Sequence, residues 1–348
     1  MGMTLASDAD NRRALAAELQ AMNFAVHQPE DPPLFTDAPE PAMQPMHWRA
    51  ADIAAGLDRI GEMIKLEQGS VRRTLRLTNP GVEYGTTPTL WASIQYILPG
   101  EIATAHRHTP GALRFIMKGT GANTIVDGEQ YQMNEGDLVL TPGWTFHDHQ
   151  HNGSEPMVWL DVLDINLVRS MNATFFEDLN APRQAVNSHQ DASHREFGSG
   201  LMRPAKARHA RYENPVLPYP AALCEAAVRQ AAELDPDPYD DTAMIYTNPT
   251  TGGHAMKTIG TMLQRLRPGF SGQAHRHVGS SVYYVIRGEG RTTVNDELFN
   301  WVAGDFLAIP SWARHAHANR SSDNDCLMFH VNDFPALEAL GLWHESGE

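Results

Sequence analysis

The chain reads as an all-β protein: two tandem jelly-roll-like β-barrels with additional N-terminal and connector helices. Three observations predict this. One series of landmarks occurs twice at a nearly constant offset, each copy is a run of short strands punctuated by Gly and Pro, and helical patterns fall only outside the copies.

The repeat comes first. Pro99-Gly100 leads after five residues to His106-Arg107-His108, and Pro268-Gly269 leads in the same way to His275-Arg276-His277. Downstream, Gly136-Asp137 precedes Pro142 and His147, and Gly304-Asp305 precedes Pro310 and His315. Lys118-Gly119-Thr120-Gly121 and Arg287-Gly288-Glu289-Gly290 lie between these landmarks. The offset is 169 residues at the His-Arg-His motif and 168 at the last His, so the chain is an internal duplication.

Within the copies, strands are expected over 90–98, 113–118, 138–141 and 157–163, and again over 262–266, 282–287, 292–295, 306–309 and 326–331. Asp127-Gly128 is a hairpin-turn signal. Helices are expected over 8–22, 51–65 and 221–234. The resulting division is a helical extension over 1–85, a first barrel over 86–175, a connector with a helix over 176–243, and a second barrel with a tail over 244–348.

Composition bounds the function. The 348 residues, 42% hydrophobic, suffice for two modest domains. A net charge of −15 without a Lys/Arg block argues against nucleic acid and against anionic membranes, but leaves room for a small anion in a local Arg pocket. Cys224 and Cys326 are far apart and form no CxxC pair, so a disulfide framework or thiolate zinc site is not expected. The N-terminal pattern lacks the features of a signal peptide, no apolar run is long enough to cross a bilayer, and the expected location is the cytoplasm.

Of the 17 histidines, six stand at ligand spacing. On a strand, residues i and i+2 share a face, so His106 with His108, and His275 with His277, point into one barrel each. His147 and His315 each complete a triad from a neighbouring strand. The bland reading is of hydrogen-bonded inward polar residues. A triad repeated at fixed spacing favours a metal, because three unpaired buried imidazoles are costly. Imidazole suits Fe, Zn, Cu and Ni alike, so the ligands alone do not choose the metal.

The two motifs resemble those of the cupins, across residues 88–165 and 258–331. Many cupins add a Glu ligand four or five residues after the second His; here those positions hold Ala112 and Leu113, then Ser281 and Val282. A three-His double cupin resembles the ring-cleaving dioxygenases that act on gentisate, salicylate and 1-hydroxy-2-naphthoate. Further stretches carry the resemblance: Thr78-Asn79-Pro80-Gly81, the run from Pro88 to Tyr96, Ala112-Leu113-Arg114-Phe115, the run from Thr141 to His149, the run from Trp159 to Asp164, the run from Asn248 to Gly253, and Pro310-Ser311-Trp312.

The resemblance implies an Fe(II)-dependent dioxygenase that cleaves gentisate between its carboxyl- and hydroxyl-bearing carbons to give maleylpyruvate. It places the first metal on His106, His108 and His147, and a second on His275, His277 and His315. Arg72 and Arg114 become carboxylate partners, Arg72 alternatively being an exposed charge beside Arg73. Gln95 and Trp91 line the pocket, Trp91 alternatively serving the core. Asp161 contacts a ring substituent or orients a ligand His. His149, two residues beyond His147, shares its face and is placed to accept the hydroxyl proton; the alternative is a surface His. A homotetramer is expected by analogy. Left open are a salicylate, 5-nitrosalicylate or 1-hydroxy-2-naphthoate dioxygenase, another cupin enzyme such as an oxalate decarboxylase, flavonol dioxygenase or sugar-phosphate isomerase, and a non-catalytic storage or binding protein.

Overall fold

The computed structural model describes residues 8–28, 30–64, 72–205 and 212–347. The chain divides into two compact units, Met1–Glu40 and Pro41–Glu348. In the first, a helix spans Asp8–Ala21. It stops where Asn23 takes a left-handed conformation (φ 61°), and the Phe24 N–H closes back on the Leu19 carbonyl at 2.9 Å.

The second unit holds both barrels, each built from two sheets. In the first barrel, one sheet runs Pro218–Tyr219, Leu138–Thr141, Ala112–Lys118, Met157–Leu163, Trp91–Ile97, Thr74–Arg76, with neighbours hydrogen-bonded. Facing it are Phe176–Asp178, Ile102–His108, His147–His151, Ala122–Val126 and Glu129–Met133. The second barrel repeats the plan. One sheet runs Met46–Trp48, Phe306–Ile309, Ser281–Arg287, Cys326–Asn332, Gly260–Leu266, Thr242–Ile245; the other runs Glu297–Val302, Glu289–Val294, His315–Asn319, His275–His277, Glu345–Gly347. The hairpin signal is realised: Asp127 and Gly128, at φ 47° and 87°, join two strands through a turn that Gly adopts without strain.

Alternation explains how a buried sheet carries polar chemistry. Phe115 pairs with Leu160 and Leu113 with Val162, and these side chains face the other barrel. Phe115 stacks on Phe329 of the second barrel at 4.1 Å and meets Tyr284 edge-on at 6.0 Å, so the barrels share one core. The intervening residues Ser93, Gln95, Arg114 and Asp161 point the other way, into the first barrel.

The segments outside the repeats differ from a plain helical extension and connector. Met46–Trp48 is an edge strand of the second barrel, and Pro218–Tyr219 is an edge strand of the first. Each leads into a helix, Ala50–Met63 and Ala221–Ala231. The Asp305 carboxylate accepts the Ala50 N–H at 2.7 Å, and Asp137 accepts the Ala221 N–H at 2.9 Å. The Asp of each Gly-Asp motif thus holds the N-terminus of a helix that precedes the other repeat, where unpaired N–H groups favour an anion. The Thr89 hydroxyl donates to Asp333 and the Thr258 hydroxyl to Asp164, both at 2.5 Å, which makes the exchange reciprocal. The connector helix ends three residues short of the expected 234, and the expected end of the second helix, Lys65, lies outside the described residues. Among the described residues, no helix is long and apolar enough to cross a membrane.

Candidate active site

His106 and His108 lie near the end of strand Ile102–His108, and His147 opens the adjacent strand, paired in register with His106. Their ligand atoms lie within 4.8 Å of one another. The turn before His147 is fastened to the motif: the Trp144 N–H donates to the His108 carbonyl at 2.7 Å. Trp144 holds φ 62° there, an uncommon state for a bulky residue and a mark of local strain. A side chain on Gly143 would run into the Thr109 carbonyl, so only Gly fits that approach.

Backbone carbonyls fix the rings. Nδ1 of His106 donates to the Thr104 carbonyl at 2.9 Å, Nδ1 of His108 to the Pro110 carbonyl at 2.8 Å, and Nδ1 of His147 to the Thr145 carbonyl at 3.0 Å. With Nδ1 protonated in all three, each Nε2 presents a lone pair, the arrangement that prepares imidazole for a metal. The His147 Nε2 is buried without a partner. Burial, reinforced by Arg72, lowers the His106 pKa to about 3. Burial also lowers His108 to about 4 and His147 well below the usual range. All three are therefore neutral at pH 7, as ligation requires.

The facing sheet supplies the charge. Arg114 is 3% exposed, and its Nε lies 3.1 Å from an Asp161 oxygen, the two residues standing opposite each other on neighbouring strands. Arg114 also donates to the Thr141 hydroxyl at 2.5 Å. The second Asp161 oxygen accepts the Trp159 indole N–H at 3.0 Å. Asp161 thus holds Arg114 and, among the described residues, makes no hydrogen bond to a ligand His. Burial raises the Asp161 pKa while Arg114 and Arg72 oppose the rise.

Arg72 faces inward: its Nη2 lies 3.1 Å from Nδ1 and 3.3 Å from Nε2 of His106, against the ring, and burial with neighbouring Arg114 lowers its pKa to about 10. The exposed charge of the alternative reading is not observed, and Arg73 points the opposite way. His149 is fully buried with both ring nitrogens unpartnered, 5.5 Å from the Trp159 ring, so it is no surface residue. Burial, then Arg114 and Arg72, lower its pKa well below the usual range. Gln95 is buried with Oε1 unpartnered. Trp91 lies on the same face but near the edge, half-buried against Tyr84 at 4.8 Å and under Arg76 at 4.6 Å.

Two inward residues, Ser93 and Thr141, are not marked by the sequence. Arg76 pairs with Ser93 four residues beyond Arg72 but stays exposed at the rim, over the Trp91 ring.

The second triad is equally compact, its ligand atoms within 4.8 Å. Nδ1 of His315 donates to the Ala313 carbonyl at 2.9 Å, and Nε2 of His275 lies 2.9 Å from Nε2 of His315. Its wall differs. The positions of Arg114 and Asp161 hold Tyr283 and His330, stacked at 4.2 Å. The counterpart of His149 is His317, whose Nδ1 lies 2.8 Å from the Thr292 hydroxyl.

Comparisons with known proteins agree with this architecture. Residues 93–163 and 262–332 each match the cupin domain family. The chain is 37% identical to a gentisate 1,2-dioxygenase of Streptomyces sp, over 88% of this chain and 87% of the relative. It is 37% identical to a 1-hydroxy-2-naphthoate 1,2-dioxygenase of Nocardioides sp. (strain KP7), over 89% and 80%. The salicylate 1,2-dioxygenase of Pseudaminobacter salicylatoxidans superimposes with a TM-score of 0.90 at 30% identity, covering 99% of both chains, and has also been solved with gentisate bound. By motif, architecture and sequence, this chain belongs to the double-cupin ring-cleaving dioxygenases.

Proposed function

We propose that this enzyme cleaves gentisate with O2 between the carboxyl- and hydroxyl-bearing carbons, giving maleylpyruvate, with both oxygen atoms retained in the product. The observation that carries this reading is the opposition of three neutral, carbonyl-fixed imidazoles to two guanidiniums, the half-buried Arg72 and the buried Arg114, with the buried His149 ring 6.2 Å from that of His147. The gentisate relative and the gentisate-bound salicylate dioxygenase support the choice of substrate.

The first triad fits Fe(II): it offers three neutral nitrogen donors, one of them buried without a partner. His106, His108 and His147 would hold Fe(II), which would supply Lewis acidity and the redox capacity for reaction with O2. Everything else falls to the protein. Arg114, fixed by Asp161 and Thr141, presents a planar cation to the substrate carboxylate, and Arg72 adds a second. His149 accepts the hydroxyl proton on an unpartnered ring nitrogen. Burial, then the two arginines, depress its basicity, and an anionic substrate beside the arginines offsets their share of that effect. Gln95 offers an unpartnered amide oxygen to a ring hydroxyl.

A second Fe(II) fits His275, His277 and His315, where Nδ1 of both His275 and His277 is buried without a hydrogen-bond partner. That barrel offers Tyr283 and His330 in place of the cation and its holder, so we assign ring cleavage to the first barrel alone.

The test is anaerobic loading with Fe(II), then O2 uptake with gentisate, salicylate, 5-nitrosalicylate and 1-hydroxy-2-naphthoate in parallel. Fastest uptake with gentisate, accompanied by a new ultraviolet product band, is expected. Faster turnover of another substrate reassigns the specificity, and no uptake by iron-containing protein removes the substrate class.

A further inference from the structure

Arg73 is 1% exposed, yet it points away from the barrel interior that Arg72 enters. Its guanidinium grips the Glu101 carboxylate with both ends of the fork, one bond at 2.9 Å. Its Nε donates to the Ile64 carbonyl at 2.7 Å, and its own carbonyl accepts the Tyr96 N–H at 2.9 Å. Glu101 accepts the Leu98 N–H at 2.7 Å and stands immediately before the strand that carries His106 and His108. The Glu101 carbonyl also accepts the N–H of His151, at the end of the strand that begins with His147. One part-buried ion pair therefore ties the residue beside Arg72 to both strands that carry the first triad.

We infer that Arg73 and Glu101 are positioning residues for substrate binding, a clip that sets where the Arg72 guanidinium stands relative to His106. A bidentate arginine–carboxylate pair suits this task, since it fixes direction as well as distance. Consecutive residues on extended backbone point to opposite sides, so anchoring Arg73 on one side aims Arg72 to the other. A long arginine anchored only by flexible backbone would lose binding by occupying many rotamers. The inference rests on the reading of Arg72 as a partner of the substrate carboxylate.

The test is a double-mutant cycle on the Fe(II)-loaded full chain with gentisate. Glu101→Gln and Arg73→Lys are each made in the parent and in an Arg72→Ala background. KM, kcat and iron content are measured for each, with anaerobic calorimetry for gentisate binding. Glu101→Gln is expected to raise KM by about five- to tenfold, with kcat within about twofold and iron content unchanged, and by less than about twofold once Arg72 is absent. Glu101→Gln keeps the side-chain shape and an acceptor oxygen, and it answers the question even where Arg73→Lys fails to fold. An unchanged KM in Glu101→Gln, a loss confined to kcat, or effects that simply multiply with Arg72→Ala would overturn the clip while leaving the substrate reading intact. Gentisate binding that is absent in the parent, or indifferent to Arg72→Ala, overturns the substrate reading and the clip with it.

Discussion

On the strands Ala112–Lys118 and Met157–Leu163 of the first barrel, the inward pair beside the triad is Arg114 and Asp161; at the same register in the second barrel it is Tyr283 and His330. The two triads are alike in spacing and in the bond from the third His to a backbone carbonyl two residues earlier. What differs is the opposite wall: a fixed cation in one barrel, a stacked aromatic pair in the other. The difference separates two properties that a duplicated motif runs together. The triad gives a place for a metal, and the wall decides whether an aromatic acid can bind beside it.

The histidines two residues beyond each triad sharpen the contrast. His149 has no partner on either nitrogen, whereas the Nδ1 of His317 is engaged by Thr292, which also accepts the Trp301 indole N–H at 2.9 Å. One ring nitrogen of His317 is therefore already engaged by a neighbouring hydroxyl, where both of those of His149 are open to a substrate proton. His149→Phe should accordingly lower kcat by about 100-fold or more with iron retained. His317→Phe should change kcat by less than about threefold, and equal losses in the two variants would erase the distinction.

Giving the first barrel the wall of the second is the next test. Arg114→Tyr with Asp161→His should keep iron but raise KM for gentisate by about 10- to 100-fold, the worth of a charge-assisted contact. The paired exchange is needed because removing Arg114 alone strands a buried carboxylate, at a cost of about 3–5 kcal/mol in stability. An unchanged KM in the double variant would show that the carboxylate is held elsewhere.

A smaller effect follows from a property that both barrels share. Burial lowers the pKa values of His106, His277 and His330 to about 3 and that of His108 to about 4. The unfolded chain takes up protons near pH 6.5 and the folded chain only below these values, so folded stability is complete above about pH 6.5 and declines as pH falls towards 4. Urea unfolding of metal-free protein should show a midpoint clearly lower at pH 5 than at pH 7.5. Equal midpoints would mean that the histidines are not buried in the neutral form.

Much of this was legible in the sequence because a duplicated motif carries its own control. Strand alternation alone put His106 and His108 on one face, and the Gly-Asp-to-Pro turn placed His147 beside them. The exchanged strands Met46–Trp48 and Pro218–Tyr219 were not legible: two or three residues leave no periodicity, and their partners lie far along the chain. For the same reason, the roles of Asp137 and Asp305 emerge only when the helices preceding the other repeat are seen resting on them. Asp161 was placed in the site, but its partner was not foreseen, because a cross-strand register joins it to Arg114 across 47 positions of sequence. Arg73 looked like one half of an exposed pair, and only its contact with Glu101 shows that it is buried.

The most direct test of the division between barrels is to measure iron per chain and gentisate turnover in His147→Ala and His315→Ala. The account predicts that each variant loses about one iron per chain, that His147→Ala loses turnover by about 1,000-fold or more, and that His315→Ala keeps it within about threefold. Loss of turnover in His315→Ala with the first-barrel iron retained would contradict it.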